Sequence, residues 1–156
     1  MDRRDRNQTE PLANIEQLKT RLEPSSEPSV WTGKIPRILY VDDHSTTREI
    51  MVYIFEATGA DILLAEDGLE GVEMAHRWQP DIILMDLRMP RLNGFEAIKY
   101  IRADETTTHI PIIVTSAWAN TKHKKRSFAA GADEHFSKPV DFNHLVKTIN
   151  RYLESG

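Results

Sequence analysis

The chain has 156 residues, 40% hydrophobic and 28% charged, with a net charge of −4. This describes a globular domain with a proper core and no general affinity for polyanions. The absence of cysteine removes disulfides, thiolate nucleophiles and cysteine-bound zinc. The longest apolar runs are strand-sized, and the charged start Met1-Asp2-Arg3-Arg4-Asp5-Arg6 has no apolar stretch behind it. A cytoplasmic protein is therefore expected, with no membrane insertion and no direct contact with nucleic acid.

Residues 1–36 form a polar extension whose charges balance: Asp2, Asp5, Glu10, Glu16, Glu23 and Glu27 against Arg3, Arg4, Arg6, Lys19, Arg21 and Lys34. The excess negative charge thus belongs to the remainder. Thr9 as a cap and Pro11 in the first turn predict a short helix with Leu12, Ile15, Leu18 and Leu22 on one face. It either rests on the domain or serves as a docking or dimerisation element. The Pro- and Ser-rich stretch from Glu23 to Gly33 reads as linker.

From Arg37 onward, residues 37–154 alternate strand and helix patterns. The first strand is 37–41. A helix from about Thr46 follows, with Thr46 and Glu49 spaced as a capping box, Gly59 as its stop, and Ile50, Met51, Ile54 and Phe55 inward. A short strand at 61–65 leads to a helix opened by Asp67 and Glu70, with Leu69, Val72 and Ala75 inward. Strand three is 81–85. Asn93 and Glu96 open the next helix, with Phe95, Ile98 and Ile101 inward. Strand four is 112–115, and a helix within 120–130 stops at Gly131. Strand five is 134–137. Asp141 caps a last helix carrying Phe142, Leu145, Ile149 and Leu153 on one side. Five βα units predict a doubly wound parallel sheet, with the continuously apolar strands one and three at its centre.

The chemistry-bearing residues fall at strand ends. Asp42 and Asp43 follow Ile38-Leu39-Tyr40-Val41, Asp86 follows Ile82-Ile83-Leu84-Met85, Ser116 follows strand four, and Lys138 precedes Pro139 after strand five. In an open parallel sheet these ends share one edge, where ligands bind. Three carboxylates together repel one another unless a cation is present. An all-oxygen set suits Mg²⁺, and a lysine opposite supplies charge for a phosphoryl group. A carboxylate in that setting can act as nucleophile toward phosphorus.

In these pieces, together with Leu87-Arg88-Met89-Pro90, Asn93-Gly94, Pro111 to Ala117 and Gly131-Ala132-Asp133, the segment from Arg37 to Leu153 resembles the receiver domain of two-component response regulators. The resemblance implies a flavodoxin-like (βα)5 three-layer α/β sandwich with a five-stranded parallel sheet. It implies that Asp86 is the phosphoacceptor, and that Asp43 and Asp86 hold Mg²⁺ with the backbone carbonyl of Arg88. Asp42 assists directly or through water, Lys138 binds phosphate, and Ser116 is the switch hydroxyl. Lys138-Pro139 would be a cis bond. The family's aromatic switch position is His135 here, a side chain that titrates near neutrality. Arg88 and Trp118 occupy positions that tune the lifetime of the phosphorylated state. The implied partners are a histidine kinase or histidine phosphotransfer protein and an unknown downstream protein target. The latter would be met through helix four, strand five and helix five, where Lys122-His123-Lys124-Lys125-Arg126 forms a basic run. A monomer or weak homodimer is expected, signalling through protein contacts and catalysing only its own phosphorylation and slow dephosphorylation.

Two other readings use the same residues. A phosphatase of the haloacid dehalogenase type also needs a strand-end Asp and Mg²⁺, but wants a second acid where Arg88 stands. A binding module that is never phosphorylated would have no use for the full set of acids.

Overall fold

The computed structural model describes residues 29–118 and 120–155. Among the described residues, five strands alternate with five helices. β1 (Arg37–Val41), β2 (Asp61–Ala65), β3 (Ile82–Met85), β4 (Ile112–Ser116) and β5 (Glu134–Ser137) form one parallel sheet in the order β2-β1-β3-β4-β5. The helices are α1 (Ser45–Ala57), α2 (Gly68–Trp78), α3 (Gly94–Ala103), α4 (Thr121–Ala130) and α5 (Phe142–Ser155).

The period of two in a strand divides the core between two faces. Ile38 and Tyr40 of β1 point with Leu84 and Ile113 toward Phe55 of α1 and Leu145 and Ile149 of α5. Leu39 and Val41 point with Ile83, Met85 and Val114 toward Ala75 of α2, Phe95, Ile98 and Ile101 of α3, and Ala130 of α4. The result is the expected three-layer sandwich. All of β3 and β4 is buried, as strands covered on both faces must be.

Helix ends follow local chemistry. Asn93 and Glu96 form the reciprocal capping box of α3. Asp67 accepts the Glu70 N–H at the start of α2, Asn120 the His123 N–H at the start of α4, and Asp141 the His144 N–H before α5. The expected box of Thr46 and Glu49 does not form. α1 begins one residue earlier, with His44 as its cap and no side-chain cap bond. The cause lies in Asp42, whose carboxylate accepts the His44 N–H while its carbonyl accepts from the Arg48 guanidinium. The turn is therefore set before Thr46 is reached.

Leu69 is also misplaced by periodicity. It is exposed, and α2 meets the sheet through Gly71 and Ala75, with Val72 half-buried, while the buried Gly68 packs against the Leu92 backbone. A Cβ on Gly71 would stand 3.0 Å from both Val41 methyls, so this helix sits too close for a Leu-lined face. Strand three starts at Ile82 rather than Asp81, whose carboxylate accepts the Arg37 N–H and pairs with Lys34.

The expected linker gives way at its end. Trp31 is buried at 4% exposure in the α1/α5 core, and its indole N–H donates to the Thr58 carbonyl. Asn150 of α5 grips the flanking backbone from both sides, accepting from Thr32 N and donating to the Val30 carbonyl. A tryptophan with its polar tip satisfied contributes far too much apolar area to be left in water. The helix expected around Leu12 to Leu22 lies outside the described residues.

Candidate functional site

The parallel ladder runs past the strand ends and fixes the backbone of the site. Asp42 N donates to Ala65 O, Asp86 N to Val41 O, and Lys138 N to Ser116 O, at 3.1, 3.0 and 2.8 Å. Asp42, Asp86, Ser116 and Lys138 thereby meet at the C-terminal edge. A cleft of about 560 Å³ opens there, lined by Asp43, His44, Thr47, Asp86, Arg88, Ser116, Ala117, Trp118 and Lys138. All the site residues expected from sequence border this cleft, except that Asp42 lies beneath it and His135 behind it.

The three acids differ in how they are satisfied. Asp42 is fully buried: Oδ2 accepts from Lys138 Nζ and from the Tyr40 hydroxyl, both at 2.9 Å, and Oδ1 accepts from His44 N at 2.9 Å. Burial alone would raise its pKa, but these donors together outweigh it and hold the carboxyl below the usual range. Asp86 is 5% exposed and accepts the Leu87 N–H at 2.8 Å, while Lys138 Nζ stands 3.7 Å from its Oδ2. Burial raises its pKa; Lys138 opposes this and the Asp42 charge adds to it. Asp43 Oδ1 is buried and accepts no hydrogen bond among the described residues; His44 Nδ1 lies 3.1 Å away without hydrogen-bond geometry.

Asp42, Asp43, His44 and Asp86 each bring one donor atom within 4.8 Å of the others. A buried carboxylate oxygen without a donor, beside two more carboxylates, is what a hard divalent cation satisfies. The residues present therefore fit Mg²⁺. His44, next in sequence to Asp43, also stands beside the acids. Its side chain is 69% exposed and can turn outward, so the oxygen set does not depend on it.

Lys138-Pro139 is cis, as expected. Ser116 is buried, and its Oγ accepts from Trp118 N at 3.0 Å. Trp118 stacks on His123 at 4.6 Å, and the Arg88 guanidinium lies 5.7 Å over its ring. The two side chains thus form one wall of the cleft. His135 turns inward and bridges two elements, its Nε2 3.0 Å from the Trp118 carbonyl and its Nδ1 3.1 Å from Ser127 Oγ on α4. A carbonyl can only accept, so Nε2 carries the hydrogen. Two residues of the site escaped the sequence reading. Tyr40 reads from sequence as part of an apolar run, although alternation along β1 places it on the Asp42 face. His44 is one of six scattered histidines with no metal-ligand spacing to single it out.

The family model for the response regulator receiver domain matches residues 38–150. The chain belongs to the response regulator receiver family. This receiver domain is 39% identical over 117 residues to the protein PilH of Pseudomonas aeruginosa, covering 75% of this chain and 97% of PilH. It is 33% identical over 119 residues to the DNA-binding dual master transcriptional regulator RpaA of Synechocystis, covering 76% of this chain but only 49% of RpaA. Among solved structures it resembles the receiver domain of a sensor histidine kinase from Pseudomonas aeruginosa, with a TM-score of 0.72 and 30% identity over 78% of this chain and 99% of that one. That protein was solved with a magnesium ion coordinated in its active-site cleft. Receiver domains are signalling domains rather than enzymes of turnover.

Proposed function

We propose that Asp86 accepts a phosphoryl group from a histidine kinase or histidine phosphotransfer protein, and that this protein works as a cytoplasmic phosphorelay component. The observation that carries the reading is the single cleft shared by Asp86, Lys138, Ser116 and the unsatisfied oxygen of Asp43.

An Asp86 carboxylate oxygen attacks phosphorus in line. The P–O bond forms as the donor's P–N bond breaks, and the bonding pair leaves with the imidazole nitrogen. Asp43, Asp86 and the Arg88 carbonyl would hold Mg²⁺, with Asp42 assisting directly or through water. The ion, when bound, neutralises charge on the equatorial phosphoryl oxygens. Lys138 turns from Asp42 toward the new phosphate, a short move given its 3.7 Å separation from Asp86 Oδ2. Ser116 Oγ accepts from Trp118 N and so keeps its own hydrogen for a phosphoryl oxygen. Drawing Ser116 toward phosphate loosens that bond, and with it the Trp118 segment that His135 holds by its carbonyl. α4 and β5 respond through Ser127 and His135, shifting a two-state equilibrium read by a downstream protein at the α4/β5/α5 face. Arg88 and Trp118 govern how long the acyl phosphate lasts by controlling water at the cleft wall.

Incubation with phosphoramidate and Mg²⁺, followed by intact mass measurement, tests the reading. One added phosphoryl group that fails to appear in EDTA is expected. Sustained turnover of p-nitrophenyl phosphate at enzyme-like rates would replace this reading with a phosphatase.

A further inference from the structure

Tyr40 is a buried polar side chain to which the phosphoryl chemistry above gives no role. At 1% exposure it is one of the largest fully buried side chains of the core. A phenylalanine would fill the same volume without the cost of burying a hydroxyl. The one hydrogen of that hydroxyl goes to Asp42 Oδ2, at 2.9 Å, while the Thr115 hydroxyl stands against its oxygen. Lys138 Nζ also donates to Asp42 Oδ2, at 2.9 Å. Asp42 Oδ1 in turn is held by His44 N at 2.9 Å.

Resting on the phosphoacceptor reading, we infer that Tyr40 is a positioning residue, sharing Asp42 Oδ2 with Lys138 so that the lysine is held loosely enough to turn toward the phosphoryl group on Asp86. A carboxylate oxygen that already accepts a neutral O–H has less charge to offer an ammonium than one whose only partner is that ammonium. Lys138 sits between two carboxylates, hydrogen-bonded to Asp42 and 3.7 Å from Asp86. Its partition between them sets how readily it reaches the phosphate. The tyrosine hydroxyl weakens the Asp42 side of that contest. By the same sharing it draws negative charge away from the acid cluster and so moderates the pull on a divalent cation.

Removing the hydroxyl therefore has two effects of opposite sign. In Tyr40→Phe, Asp42 regains charge, so Mg²⁺ binds more tightly; it also grips Lys138 harder, so phosphoryl uptake slows. A packing defect produces no such split, because loosening the site weakens both. Tyr40→Phe is compared with wild type in two measurements: Mg²⁺ affinity by titration calorimetry, and the rate of phosphoryl uptake from phosphoramidate at saturating Mg²⁺ by intact mass. The expected result is Mg²⁺ binding about threefold tighter and uptake slowed by about fivefold, the scale of one charge-assisted hydrogen bond felt in part. In an Asp42→Asn background the same substitution should change neither quantity, since Tyr40 acts through that carboxylate. Unchanged values in the single variant, a fall in both, or the same shifts in the Asp42→Asn background would each overturn the inference. A wild type that takes up no phosphoryl group would instead count against the phosphoacceptor reading, so the two failures are distinguishable.

Discussion

Asp43 and His135 are the two side chains whose surroundings make the sharpest demands on solution behaviour. Asp43 brings a buried oxygen that no described donor satisfies into contact distance of two other acids. Asp43→Asn removes one charge from that trio. It is expected to raise stability in EDTA by about 1 kcal/mol and to abolish the gain in melting temperature that Mg²⁺ gives the wild type. A variant that keeps the Mg²⁺-dependent gain would rule out Asp43 as a ligand. His135 is held below the usual imidazole range chiefly by burial; the Trp118 carbonyl opposes this, and the nearby Lys124 and His123 reinforce it. A group whose folded pKa is depressed contributes stability that is present above its unfolded value and lost as pH falls through the folded one. Urea midpoints should therefore decline as pH drops below about 6.5, the unfolded imidazole value, and decline less in His135→Gln. Equal slopes in the two proteins would show that His135 carries none of the effect. The acids, Ser116 and Lys138 were legible because each stands at the end of an apolar run or before a proline. Tyr40 was not, because its aromatic ring satisfies the core pattern and hides the hydroxyl.

At the scale of elements, the loop from β3 to α3 shows how closely the site is tied to backbone packing. Gly94 N donates to the Leu87 carbonyl at 2.9 Å, and a Cβ on Gly94 would stand 2.2 Å from the Asp86 carbonyl oxygen. No side chain fits there without moving the phosphoacceptor's own peptide. Gly94→Ala is expected to cost roughly 3 kcal/mol, at the upper end for overpacking, and to slow phosphoryl uptake with it, as read by urea denaturation and the mass assay. Full stability in the variant would contradict the close approach. Capping signals were readable where they acted alone: Asn93 with Glu96, Asp67 and Asp141 all cap as their spacing indicated. The Thr46 signal failed because Asp42 sets the turn through the His44 N–H and the helix starts at Ser45, which leaves Thr46 inside the first turn rather than at the cap. Leu69 failed because Gly71 draws α2 closer than a leucine face allows.

At the scale of the whole molecule, one sheet edge gathers residues from the ends of β1, β3, β4 and β5; unbroken apolar runs marked β1 and β3 as inner strands, and the rest of the order could be anticipated only through the resemblance. Periodicity supplied the strands; it carries no information on their neighbours. The tail contact was illegible because Val30-Trp31-Thr32 sits in a Pro- and Ser-rich setting, where a single aromatic gives no period. Trp31→Ala is expected to lower stability by about 3 kcal/mol, since it empties a site shared by α1 and α5; loss of less than about 0.5 kcal/mol, the range of surface changes, would return the segment to linker status. The central claim concerns Asp86. Wild type and Asp86→Asn, treated side by side with phosphoramidate and Mg²⁺ and weighed intact, test it most directly. A mass gain of one phosphoryl group in the wild type and none in the variant is the result expected. No gain in the wild type, or a gain that survives in Asp86→Asn, contradicts it.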